Sequence, residues 1–71
     1  MTDVEKLKSK IKDTGLTITA ISRKTGIMRE TLYNKINGVS EFKASEIAAV
    51  SEVLRLSQEE REEIFFARIV I

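Results

Sequence analysis

An all-α fold of five helices is predicted by three features of the sequence. The 71 residues include no Pro, and the three Gly stand at Gly15, Gly26 and Gly38, each where a helical pattern of apolar residues stops. Glycine reaches the left-handed backbone that closes a helix without a Cβ penalty, so this placement marks helix ends joined by short connections. Within the segments so marked, apolar residues recur every three or four positions, the period of one helix face.

The first helix is expected to start from Thr2 as N-cap, with Glu5 completing a capping box, and to stop before Gly15. Val4, Leu7 and Ile11 form its inward stripe; Lys6, Lys8, Lys10 and Lys12 lie off it, on a face that is either solvated or turned partly to phosphates. Thr17 caps the second helix, which runs to about Lys24 with Leu16, Ile18 and Ile21 on one side and small Ser22 where helices approach closely. The third runs from about Met28 to Asn37: Ile27 plugs the corner and Leu32 and Ile36 anchor the helix, leaving Arg29, Glu30, Tyr33, Asn34 and Asn37 on the far face. Asn37 either holds a phosphate or ends the helix in a left-handed conformation before Gly38. Phe42, in the loop 39–42, reads as a core plug. Ile47, Val50 and Leu54 write a fourth helix, with Ala44, Ala48 and Ala49 for close packing. Ser57 and Glu60 form a capping box for the fifth, whose first turns carry Glu59, Glu60, Glu62 and Glu63 near the positive end of the helix dipole. Two short helices meeting at Thr25-Gly26-Ile27 predict a helix-turn-helix over 17–37, within a single domain of 1–71 that ends in a helix and apolar tail over 58–71.

Bulk properties narrow the class. Without Cys or His the chain has neither disulfides nor thiolate zinc sites, and a body this small buries only about 60% of its unfolded surface. Catalysis is not expected, because no nucleophile–base pair or metal-ligand spacing can be assembled, and no metal or cofactor is expected either. The glutamate run cannot converge on one point and has Arg61 in its midst. Apolar runs such as 64–67 fall far short of the roughly 20 residues that cross a bilayer, and the amino terminus lacks the apolar stretch of a secretory signal, so a soluble, cytoplasmic protein is expected. Formal net charge is +1. Its distribution is uneven: residues 1–40 hold eight Lys or Arg against four Asp or Glu, whereas 41–71 hold four against seven, which predicts a basic face for a polyanion and an acidic face turned away. The end of the chain is apolar, and adjacent Phe65 and Phe66 cannot share one helix face; Phe65, Phe66, Ile69, Val70 and Ile71 are candidates for an interface.

The order Leu16-Thr17, helix, Gly26-Ile27, helix, Asn37-Gly38 resembles the phage-repressor-like (Xre/Cro-type) helix-turn-helix regulators, with the match spanning residues 16–38 and, more loosely, the chain. Ile18 stands where that family usually has a phosphate-contacting glutamine, and Ser22 where it usually has alanine. The resemblance implies a lambda-repressor-like DNA-binding domain whose positions Arg29, Glu30, Thr31, Tyr33 and Asn34 contact bases or the nearby backbone, with Asn37 on a phosphate. Side-chain chemistry is compatible with this: Arg29 matches guanine O6 and N7, Asn34 matches adenine N6 and N7, and Glu30 either accepts from cytosine N4 or orients Arg29 or Arg23. Thr17 and Thr19, opening the second helix, are phosphate-contact candidates. The expected partner is double-stranded DNA, bound as a homodimer with recognition helices about 34 to 36 Å apart. The alternative is an antirepressor that grips a phage repressor protein with the same fold. No membrane or small-molecule partner is indicated.

Overall fold

The computed structural model describes residues 1–66, which form five α-helices and no strand: α1 (Val4–Thr14), α2 (Ile18–Thr25), α3 (Arg29–Ile36), α4 (Ala44–Val53) and α5 (Gln58–Phe65). The start of α1 differs from expectation. Asp3, not Thr2, is the N-cap, its carboxylate accepting from the Lys6 backbone N–H at 3.1 Å. That one-residue shift moves Glu5 to the second helical position, from which it cannot complete a capping box. Thr17 caps α2 as expected, accepting from the Ala20 N–H at 3.0 Å, and Ser57 and Glu60 make the reciprocal box that opens α5.

The ends of α3 and α4 share one geometry. After α3, Gly38 takes the left-handed position at φ 81°, and the N–H groups of Gly38 and Val39 donate to the carbonyls of Lys35 and Asn34. Asn37, a candidate for that position, instead has φ −91°, because glycine beside it enters the left-handed region at no steric cost. After α4 the N–H groups of Arg55 and Leu56 donate to the carbonyls of Glu52 and Ser51, the same paired closure, but the left-handed residue is Arg55 at φ 54°. Arg55→Gly therefore raises stability by about 0.5 to 1 kcal/mol, read as a higher urea midpoint, while Arg55→Ala, which stays strained, brings no gain.

Each of α1 to α4 sends one fully buried side chain to the centre, Leu7, Ile21, Leu32 and Val50 respectively. Ile27, Ile36, Phe42, Ile47, Leu54, Ile64 and Phe65 complete the core around them. Phe42 is the plug the sequence indicated, meeting Phe65 edge to face with ring centroids 5.2 Å apart. Of the adjacent phenylalanines one is therefore buried and the other, Phe66, half-exposed. Phe65, expected at an interface, is only 2% exposed and belongs to the core. The close packing expected of Ala44 and Ala48 is absent: both face solvent, and only Ala49 is half-buried. Ala48 lies about a third of a turn off the stripe of Ile47, Val50 and Leu54 that turns inward.

Helix α2 packs on α3 and α4, while α1 packs on α5 and α3. The Asp3 N–H donates to the Ile64 carbonyl at 2.6 Å, tying the start of α1 to α5. No described helix is long and apolar enough to cross a membrane.

Candidate functional site

The connection between α2 and α3 is built by short polar side chains around one glycine. Gly26, at φ 80°, reverses the chain and its N–H donates to the Ser22 carbonyl at 2.9 Å. The Ser22 hydroxyl donates to the Ile27 carbonyl, and the Thr25 hydroxyl donates to the Ile21 carbonyl while accepting from the Ile27 N–H. Ser22 thus does more than make room: it fastens the corner that Ile27 fills.

From this corner α3 leaves with one side held. Leu32, Lys35 and Ile36 are buried, and the Lys35 ammonium donates to the Glu46 carboxylate at the start of α4. The same carboxylate accepts from the Lys43 N–H at 2.8 Å; Lys43, having no acceptor in its side chain, caps nothing in return. Arg29, Glu30, Tyr33 and Asn37 are exposed, Tyr33 to 55%. Thr31 and Asn34 are half-buried, Thr31 in a cleft with Ser45, Glu46 and Ala49. The base-reading set named from sequence is thus divided between exposed and half-buried positions.

Individual contacts sharpen this further. Arg29 donates from Nε to the Thr19 hydroxyl at 3.1 Å, and among the described residues Glu30 makes no ion pair with Arg29 or Arg23. The Thr17 hydroxyl is committed as acceptor to its own helix, and the Asn37 amide donates to the Tyr33 carbonyl at 2.9 Å. Thr17, Thr19 and Asn37 are all exposed. Ile69, Val70 and Ile71 lie outside the described residues.

The charge asymmetry between the two halves of the chain is partly cancelled in space. Because α1 lies on α5, Lys6 pairs with Glu63 at 3.4 Å and Lys10 with Glu60 at 2.8 Å, and Lys35 is held by Glu46. Lys10, and then the Ser57 N–H, push the Glu60 carboxyl down to about 2. Of the eight basic residues in 1–40, Lys8, Lys12, Arg23, Lys24 and Arg29 are exposed without an ion pair among the described residues, the last three on the α2–α3 unit. Among the described residues no group of three or more His, Cys, Asp or Glu is placed to hold a metal.

The Lys35–Glu46 pair was missed in the sequence, although a signal existed. Lys35 is three residues after Leu32 and adjacent to Ile36, on the flank of the buried stripe. Comparison with protein-family models, curated proteins and solved structures returned no match.

Proposed function

We propose that this chain is a transcriptional regulator that binds double-stranded DNA through α2 and α3 as a phage-repressor-like helix-turn-helix, with α3 lying in the major groove. The observation that carries this reading is that α3 is both held and presented: Leu32, Lys35 and Ile36 are buried, while Arg29, Glu30, Tyr33 and Asn37 stand in solvent. A groove reader needs that combination, because base-edge hydrogen bonds discriminate only when the donors are held in register. The uncommitted charges of Arg23, Lys24 and Arg29 on the same unit supply attraction to phosphate. Few phosphates can be neutralised by one copy, so binding as a homodimer is part of the proposal, with two α3 helices on successive turns of the duplex, about 34 to 36 Å apart.

Fluorescence anisotropy with a labelled random-sequence duplex at low salt tests it. Binding is expected to weaken steeply as salt rises, and Arg29→Ala is expected to weaken it about tenfold. A folded protein that ignores duplex at the lowest salt refutes the reading. The alternative, capture of a phage repressor protein, draws on Glu30, an exposed carboxylate on the presented face that phosphate would repel. Absence of duplex binding together with a stable complex with such a repressor would favour it.

A further inference from the structure

We propose that Thr19 is a positioning residue for Arg29, and that the pair makes Arg29 a reader of guanine. This rests on the DNA-binding reading above and assigns Thr19 a different role from phosphate contact. The two residues are ten apart in sequence and meet because the Gly26 turn leads α3 off so that the long Arg29 side chain reaches the first turn of α2. Thr19 occupies the second position of α2 and Arg29 the first of α3. The preceding side chain, Ile18, packs against the core, which leaves Thr19 to reach across from the first turn.

The chemistry of the contact decides what Arg29 presents. A guanidinium has five N–H donors, one on Nε and four on the terminal nitrogens. With Nε donating to the Thr19 hydroxyl at 3.1 Å, the two terminal nitrogens are left to act as a two-pronged fork. Two donors side by side match the two acceptors O6 and N7 that guanine offers in the major groove, whereas adenine places a donor at one of those positions. Threonine is suited to the task because branching at Cβ restricts its rotamers. An arginine fixed before binding also loses less freedom on contact, so the hydroxyl favours both affinity and selectivity. Among the described residues Glu30, next to Arg29, makes no ion pair that would compete for the guanidinium.

The test is selection of bound sites from a random duplex pool, followed by affinity measurements on the selected site and on its single-base variants. The unmodified chain is expected to enrich guanine at one position, and Arg29→Ala to erase that preference. Thr19→Val, with an unchanged urea midpoint, is expected to bind the selected site about threefold to tenfold more weakly. It should also narrow the gap between guanine and adenine at that position; Thr19→Ser, which keeps the acceptor, should restore much of it. In an Arg29→Ala background Thr19→Val should have no further effect. Equal weakening on every sequence, persisting in the Arg29→Ala background, would mean that Thr19 touches phosphate and overturns the proposal while leaving DNA binding intact. Failure of the unmodified chain to bind any duplex overturns both.

Discussion

Glu46→Ala lowers stability by about 3 kcal/mol, the scale for removing one partner of a buried ion pair. The Lys35 side chain is 7% exposed and that of Glu46 16%, so the loss strands a buried ammonium and also frees the Lys43 N–H. Lys35→Met is milder, because Glu46 keeps its backbone hydrogen bond and some access to water. The double variant Lys35→Met with Glu46→Gln, with both charges gone and an amide oxygen left for Lys43, should recover to within about 1 kcal/mol of the original. Urea unfolding with constant m values measures the cycle; additive losses in the double variant would show that the pair is not coupled. The pair also has a pH signature. Burial works to raise the Glu46 carboxyl, but hydrogen bonds from Lys35 and the Lys43 backbone, with the charges of both lysines, outweigh it and hold the group below its ordinary 4.5. A folded-state value below the unfolded one stabilises the protein above pH 4.5 and is lost as pH falls through the folded value. Glu60, pushed down to about 2, acts in the same direction. The urea midpoint should therefore drop on acidification, and replacing both glutamates by glutamine should flatten that dependence.

Leu32→Ala costs between about 2 and 5 kcal/mol, since a fully buried leucine loses its transfer energy and leaves a cavity. For a chain of this length total stability is on the order of 4 to 11 kcal/mol, so one methyl-bearing branch accounts for a large share. The melting temperature, followed by circular dichroism, should fall by more than about 10 °C, whereas Leu32→Met should cost less than about 1.5 kcal/mol. Because Leu32 sits on the inward side of α3, loosening it also releases the presented face. On the proposed function, DNA affinity is expected to decline for the alanine variant in proportion to the folded fraction. An unchanged melting temperature would mean that α3 is not packed as described and would remove the support for the proposed function.

Local signals carried much of the architecture. The three glycines close α1, α2 and α3, all with positive φ, and the caps at Thr17 and Ser57 form as their types and positions require. The inward set Leu7, Ile21, Leu32, Ile36, Ile47, Val50 and Leu54 follows from helical period alone. Legibility ended where two adjacent residues compete for one role. Asp3 and Thr2 are both good caps, Asn37 and Gly38 both tolerate the left-handed region, and Phe65 and Phe66 are identical in type. In each case the choice was made by the neighbour: the hydrogen bond to Lys6, the cost-free φ of Gly38, or the edge of Phe42. The sequence named Arg29, Glu30, Thr31, Tyr33 and Asn34 together, and only the folded chain showed Thr31 and Asn34 to be half-buried.

Taken alone, the order of residues determined which segments coil, where most of them stop and which side of each turns inward, because those properties depend on backbone conformation and on a period that neighbours in the chain already express. Tertiary structure decided the pairings between distant residues. Packing α1 on α5 neutralised half of a lysine row, packing both α3 and α4 on α2 brought Lys35 to Glu46, and the turn at Gly26 set Arg29 against Thr19. A charge or a hydrogen-bond donor acts over a few ångströms of space, and that distance is set only once the helices are assembled.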